Sequence, residues 1–159
     1  MKTITKVLTI GLALLLMLCM SISLVGCTDN NQKENVITAT EKNTGVRIPQ
    51  ECKLLYNYAP ENLNIFPVPG RDEDYFVFEF ENEPTEFLAE NGFSNEKSVD
   101  YEEELLRGGF GLMELSMAEK IPEEYMLDFD SQYFWLEMKG YYFTYFTDTQ
   151  RLIIFVKPY

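Results

Sequence analysis

Thiols are the most reactive side chains in the sequence, and they lie at three positions. Cys19 and Cys27 fall in or just after an apolar N-terminal run, and Cys52 lies near Leu54 and Leu55. A catalytic thiol needs a neighbouring base, and the sequence contains no histidine. A Cys-His or Ser-His-Asp arrangement and a His-ligated zinc site are therefore excluded. We predict that Cys52 packs as a small apolar side chain.

Carboxylates are the second group that could do chemistry, since the chain has 26 Asp and Glu residues. The densest clusters are Asp72-Glu73-Asp74 and Asp128-Phe129-Asp130. A calcium loop of the EF-hand type that starts at Asp128 needs glycine and glutamate where the chain has Tyr133 and Lys139. We therefore predict solvated loop acids, with no metal or cofactor. A hydrolase with paired carboxylates is the least favoured alternative, because no pair of acids stands out.

The N-terminus has the parts of a secretory signal. Lys2 and Lys6 form a basic start, and residues 7–20 are apolar and uncharged. This run of 14 residues is short for a membrane-spanning helix, which needs about 20. The run is followed by Leu24-Val25-Gly26-Cys27, which resembles the lipobox of bacterial lipoprotein precursors.

The resemblance covers residues 1–27 and implies a lipid attached to Cys27. The signal peptide, residues 1–26, would be cut off after Gly26, and the Cys27 sulfur would carry a diacylglyceryl group. Two or three acyl chains hold a protein at a bilayer firmly, because each buried methylene adds about 0.8 kcal/mol. The resemblance thus implies a lipid-anchored protein on the extracytoplasmic face of the cell membrane. The alternatives are an uncleaved signal anchor, or an ordinary signal in which Cys27 is incidental.

Lipidation would also decide which disulfides are possible. Cys19 would leave with the signal and Cys27 would be alkylated, so that Cys52 would be the remaining thiol. No intramolecular disulfide could then form, and the fold would depend on its core. If Cys27 carried no lipid, a Cys27–Cys52 disulfide would become possible.

The charge balance restricts the partners. The formal net charge is −13, and loss of the two lysines of the signal leaves 11 basic and 26 acidic residues, or −15. Such a surface repels nucleic acid and anionic lipid head groups. We therefore expect contact with the membrane only through the lipid on Cys27. A solubilising surface is the favoured interpretation of the acidity, and attraction of a basic partner is the alternative.

Composition divides the mature chain into two parts. Residues 27–45 combine the lipidated cysteine with a polar stretch that contains no aromatic residue, which we interpret as a flexible tether. Residues 46–159 contain all of the Tyr, Phe and Trp that follow the signal. They are predicted to form a single globular α+β domain.

The strongest structural pattern is a C-terminal antiparallel meander. Strands are predicted over residues 132–138, 141–147 and 151–157, after an earlier strand over 74–82 with alternating Phe76, Phe78 and Phe80. Lys139-Gly140 fits a two-residue hairpin turn, and residues 147–150 fit a four-residue loop. The resulting registers place nine apolar or aromatic residues on one face, which we assign to the core. These nine are Phe134, Leu136, Met138, Tyr141, Phe143, Tyr145, Leu152, Ile154 and Val156.

Short helices are predicted around this sheet. One is predicted over residues 49–58, and others are inserted between the first strand and the meander. The first of these begins at Pro84 and ends at Asn91-Gly92, with Phe93 folding back on it. Another is capped by Asp100, with Glu103 completing a capping box. The segment 110–117 fits either a strand or a helix, and a helical turn is predicted from residue 121 to about 127.

The opposite face of the meander is the best candidate for binding. Trp135, Tyr142, Phe155 and Tyr133 would form an aromatic platform with polar edges, which suits recognition of a protein, a peptide or a sugar. The alternative, which we favour, is that the short helices cover this face and make it a second core layer.

These features predict a membrane-anchored extracytoplasmic lipoprotein that is not an enzyme and binds a protein or a small-molecule ligand. An acidic inhibitor or immunity-type protein that binds a basic partner is the alternative, and a carboxylate-dependent hydrolase is the third choice.

Overall fold

The computed structural model describes residues 30–59, 74–105 and 120–157. The chain divides into two compact units, residues 1–35 and residues 36–159, and almost all of the described residues belong to the second. The predicted signal, Cys27, Asp72, Glu73 and the segment 110–117 lie outside the described residues.

The second unit is built on one five-stranded antiparallel sheet of order β1-β2-β5-β4-β3. The strands are β1 (Cys52–Tyr58), β2 (Asp74–Phe80), β3 (Tyr133–Met138), β4 (Tyr141–Phe146) and β5 (Arg151–Val156). The helical elements are α1 (residues 30–44), α2 (Thr85–Glu90), α3 (Val99–Glu103) and a 3₁₀ turn (Glu123–Tyr125). The fold is therefore α+β with an antiparallel sheet, as predicted.

The predicted meander is confirmed over β3, β4 and β5, including its registers. Met138 pairs with Tyr141 across the first turn, and Tyr145 pairs with Leu152 across the second. Lys139 and Gly140 have φ angles of 52° and 77°, the left-handed geometry that matches a tight hairpin turn to the twist of its strands. Turn length therefore set which residues share a face.

The predicted helix over residues 49–58 is wrong, because residues 52–58 form β1. Leu54 pairs with Phe78 of β2, and the register shifts between Leu54 and Tyr56. The irregularity disrupts the period-two alternation: Leu54 packs with one core cluster, whereas Leu55 and Tyr56 pack with the other. The predicted short helices consequently follow the second strand and not the first.

The predicted flexible tether over residues 27–45 is contradicted by α1. Val36, Ile37 and Thr40 of this helix are at most 2% exposed, and Thr44 is 6% exposed. Positions 36, 40 and 44 form an i, i+4, i+8 stripe, which buries one face of a helix. Two of these three residues are threonines, so the sequence of the stripe resembles that of a polar linker and does not reveal a buried helix face. The folded unit begins at residue 36, ten residues before the predicted boundary.

Helix α2 ends as the sequence predicts. Gly92 has a φ of 71°, and Phe93 N donates to Leu88 O at 3.0 Å while Gly92 N donates to Ala89 O. This pair of bonds satisfies the last carbonyls of the helix in the Schellman arrangement. For α3 the predicted cap is wrong: Ser98 and not Asp100 is the N-cap, and its Oγ accepts a bond from Tyr101 N.

The sheet is covered on both faces. The first face packs against Val36 and Ile37 of α1 and against Phe87 and Leu88 of α2. All nine residues that the sequence assigned to the core belong to this layer. The second face packs against Tyr101 of α3 and against the segment 121–129. The protein therefore has two aromatic-rich core layers that share one sheet.

Candidate functional site

The aromatic face predicted as a binding platform is an internal layer. Tyr133, Tyr142 and Phe155 are 3%, 5% and 1% exposed. They pack with Tyr101 and Leu105 in the second core cluster. An open platform at these residues is therefore excluded, and the alternative, in which helical segments cover this face, is correct. The physical reason is that a covering layer removes the apolar surface of these aromatic rings from water, which stabilises the fold.

Trp135 is the partly exposed member of the predicted platform, and its indole N–H forms a structural hydrogen bond. Its ring lies 4.6 Å from the Tyr101 ring between centroids. Its Nε1 donates to Glu96 O at 2.8 Å, and its backbone pairs with Ser94 in an isolated bridge. The indole thus holds the segment before α3 onto the edge strand β3, and it presents little free surface to a ligand.

Two tyrosine hydroxyls of the second core layer, those of Tyr101 and Tyr133, form structural hydrogen bonds. The hydroxyl of Tyr101 is 2.9 Å from Thr144 Oγ1 and donates to Phe143 O at 3.0 Å, and Tyr133 donates to Glu102 Oε1 at 2.5 Å. Burial raises the pKa of Tyr101, and burial together with the bond to Glu102 raises the pKa of Tyr133 to about 12. Both phenols stay protonated at neutral pH and are poor general bases.

The described cysteine is also part of the core. Cys52 is 7% exposed at the start of β1 and packs in the first core cluster. The structure thus supports the prediction that Cys52 serves as a small apolar side chain. The candidate lipid-attachment residue, Cys27, lies outside the described residues, so its role rests on the sequence.

The acid clusters seen in the sequence are separated in the fold. Asp74 is 3% exposed at the start of β2, which corrects the prediction of a solvated loop acid for this residue. Asp128 is exposed, as predicted for a solvated loop acid, and its Oδ1 accepts a bond from Asp130 N at 3.1 Å, as in a loop that its own carboxylate organises. Over residues 30–59, 74–105 and 120–157, no three Asp, Glu, Cys or His side chains are grouped closely enough to hold a metal ion.

A cavity of about 460 Å³ lies where β2 leads into α2. We call it the acidic cavity. Six of its lining residues are acidic or aromatic: Glu51, Glu81, Glu83, Glu86, Phe80 and Phe87. Its volume is in the range of about 300–1,000 Å³ that is typical of small-ligand sites.

Two phenyl rings form the apolar wall of the acidic cavity. The rings of Phe80 and Phe87 are stacked, with centroids 6.2 Å apart and an angle of 23° between their planes. Tyr145 packs behind Phe80 with centroids 6.1 Å apart. The wall is rigid because β2 and α2 each contribute one ring, and each ring is also packed in the first core cluster.

The rim of the acidic cavity carries uncompensated negative charge. Glu51, Glu81, Glu83 and Glu86 are exposed, and none forms an ion pair with a residue that the structure describes. Ion pairs between described residues lie away from this rim, for example Arg47–Glu41, Arg151–Glu79 and Lys157–Glu104. A concave surface with one sign of charge and a low-dielectric wall focuses its field, so this cavity attracts cations and repels anions.

This cavity is not among the sites predicted from the sequence. The available signal was the run Phe80-Glu-Asn-Glu-Pro-Thr-Glu-Phe87, in which three acids lie between two aromatic residues. The presence of Glu51 in the cavity lining was not predictable. Residue 51 falls in the helix predicted over residues 49–58, and the pairing of β1 with β2 was not expected.

No described helix is both long and apolar enough to span a lipid bilayer. The chain matches no family model, no curated protein and no solved structure. The acidic cavity and the sequence of the N-terminus therefore carry the functional interpretation.

Proposed function

We propose that the protein is a lipid-anchored extracytoplasmic binding protein without enzymatic activity. The proposed anchor rests on the lipobox-like sequence Leu24-Val25-Gly26-Cys27. This sequence directly follows an apolar run and a Ser-containing spacer at residues 21–23. Each of these parts stands in the order that export, cleavage and lipid attachment require. The domain's charge of −15 after cleavage would be repelled by anionic lipids, so the acyl chains would supply the attachment.

The acidic cavity supports a binding role. It offers a rigid aromatic wall and four carboxylates without counter-ions in the described structure. The absence of histidine from the sequence and the raised pKa of the buried phenols leave carboxylates as the main candidates for proton transfer. No carboxylate in this cavity is buried, which removes the usual means of tuning an acid toward catalysis at neutral pH.

The second candidate function is that of an inhibitor or immunity-type protein for a basic partner. The carboxylates of Glu81, Glu83 and Glu86, which form no ion pair with a described residue, favour it, since a basic protein would supply their counter-ions. Steered association between opposite charges weakens steeply with ionic strength. Retention of proteins from an envelope extract at about 50 mM and 500 mM salt separates the two candidates, because an inhibitor of this kind would lose its partner at the higher salt.

The anchor is tested by intact-mass analysis and detergent phase partitioning of the full chain expressed in a bacterium. We expect loss of residues 1–26, an added diacylglyceryl mass on Cys27 and partitioning into the detergent phase. Cys27→Ala should abolish all three, while Cys52→Ala, the matched control, should leave them unchanged. A wild-type product that retains Met1, or one with an unmodified Cys27 at its N-terminus, would contradict the proposal.

A further inference from the structure

Helix α1 leaves little chain between the proposed lipid on Cys27 and the folded unit. The folded unit begins at residue 36, and α1 is already helical from residue 30. Two residues, Thr28 and Asp29, separate Cys27 from the start of the helix. The flexible tether predicted over residues 27–45 is thus replaced by a two-residue joint and a helix.

Covalent geometry limits how far this link can reach. The three Cα–Cα steps from Cys27 to residue 30 span at most about 11 Å in any conformation. Residues 30–36 are helical, and they add about 9 Å, because a helix rises only about 1.5 Å per residue. The link therefore reaches at most about 20 Å, whereas a flexible tether over residues 27–45 would reach about 60 Å.

The later part of α1 is held on the sheet. Val36 and Ile37 are at most 2% exposed and pack in the first core cluster. Asn43 Nδ2 donates to the hydroxyl of Tyr141 at 2.7 Å, and Lys139 Nζ donates to Asn43 O at 3.1 Å. Release of this segment would expose buried apolar surface and break bonds to the β3–β4 hairpin. The helix therefore does not lengthen the link by detaching.

The first turns of α1 have a composition that suits lipid head groups. Residues 30–35 are exposed, apart from the half-buried Lys33. Their side chains are three asparagines, a glutamine, a lysine and a glutamate, so the segment contains no apolar side chain and has no net charge. Such a segment can contact the polar head groups, but it does not favour insertion into the hydrocarbon layer.

The charge of the mature chain is distributed unequally. Residues 28–50 contain three acids and three bases, whereas residues 51–159 contain 23 acids and eight bases. The whole excess of −15 therefore lies in the later segment. Charges more than about 8 Å from a membrane surface are largely screened at physiological ionic strength. The neutral segment next to the anchor can thus approach anionic lipid, while the acidic remainder is repelled at close range.

We infer that the folded unit lies directly at the outer surface of the bilayer, with the exposed first turns of α1 at the level of the lipid head groups. The partner of this end of α1 is the phospholipid surface itself. The acidic remainder would face the aqueous side, where a ligand of the acidic cavity would be bound close to the membrane. This inference rests on the proposed lipid on Cys27 and adds the position in which that lipid holds the domain.

The test is Förster energy transfer from a dye on the full chain to dye-labelled head groups in phosphatidylcholine vesicles. The donor dye is attached through Thr38→Cys, an exposed site of α1, in a chain that also carries Cys52→Ala. A second chain carries in addition about 18 Gly and Ser residues between Thr28 and Asp29, a flexible coil with a root-mean-square length of about 23 Å. With a dye pair of short Förster distance, we expect about twofold lower transfer in the second chain.

The matched control carries the same Gly and Ser segment after Tyr159, and its transfer should equal that of the chain without an insertion. Equal transfer with and without the segment at Thr28 overturns the inference, because a short link would then not set the height of the domain. Flotation with the vesicles separates the two possible failures. A chain that does not float refutes the lipid on Cys27 and this inference with it. A chain that floats but shows equal transfer overturns the inference alone.

Discussion

The ring of Tyr101 in α3 lies against the indole of Trp135 in β3, with centroids 4.6 Å apart and planes inclined by 31°. This contact joins a five-residue helix to the edge of the sheet. Such a short helix has little stability of its own, so it depends on tertiary packing. The contact is therefore central to the layer that covers the second face of the sheet.

Replacing Tyr101 tests that dependence. Tyr101→Ala should lower the free energy of unfolding by about 3 kcal/mol or more, because it empties a buried aromatic site. Tyr101→Phe keeps the ring and loses the hydroxyl bonds to Phe143 O and Thr144, and it should cost about 1–3 kcal/mol. Urea unfolding followed by the fluorescence of Trp135, the single tryptophan, measures both. Equal losses for the two variants would contradict the role of the ring.

Two buried hydroxyls should respond in opposite ways to the same substitution. The Tyr145 hydroxyl is buried without a hydrogen-bond partner in the described structure, whereas Tyr133 donates to Glu102 at 2.5 Å. Tyr145→Phe should therefore leave stability unchanged or raise it by up to about 1 kcal/mol, since it removes an unsatisfied polar group. Tyr133→Phe should lower stability by about 1–2 kcal/mol, because a bond to a charged acceptor is lost. Chemical denaturation at neutral pH tests the pair, and a larger loss for Tyr145→Phe would refute this assignment.

Stability should decline in alkali in a defined window. Burial raises the pKa of Tyr133 from its ordinary value of 10.0 to about 12. The folded state therefore holds this proton more tightly than the unfolded chain does, and the resulting stability is complete below pH 10. It is lost as the pH rises from 10 toward 12. Urea unfolding between pH 8 and pH 12 should show a shallower decline in Tyr133→Phe than in the wild type, and parallel declines would contradict the prediction.

Helix α1 should contribute to the stability of the folded unit. Val36→Ala should lower the free energy of unfolding by about 1–3 kcal/mol, because Val36 is fully buried and loses apolar contacts. Thr38→Ala, an exposed site two residues along the same helix, should change it by less than about 0.5 kcal/mol. If residues 28–45 were a tether, both variants would unfold like the wild type in urea.

Parts of the fold that depend on local chemistry were predictable. The turn at Lys139-Gly140 has two residues, so the register of its hairpin and the face of every side chain along it follow from counting. The end of α2 at Asn91-Gly92 was predictable for a similar reason, because glycine accepts the left-handed conformation that stops a helix. These features involve residues close together in the chain.

The parts that depend on distant contacts were not predictable. The register shift between Leu54 and Tyr56 appears only when β1 is aligned with β2, and without that pairing the segment has no clear strand period. The stripe of Val36, Thr40 and Thr44 becomes a buried face only because the sheet lies against α1. Threonine is compatible with both a linker and a helix interface, so its type does not decide between them.

By itself the sequence determined the registers of the meander and the absence of histidine chemistry, and it carries the lipobox-like motif on which the predicted signal rests, because these depend on residue type and close spacing. Only the tertiary structure decided that the aromatic face around Tyr142 is covered. It also brought Asp128, Asp148 and Arg151 to one pocket. The physical reason is that burial and charge pairing depend on distances between segments far apart in the chain, and residue order alone does not specify those distances.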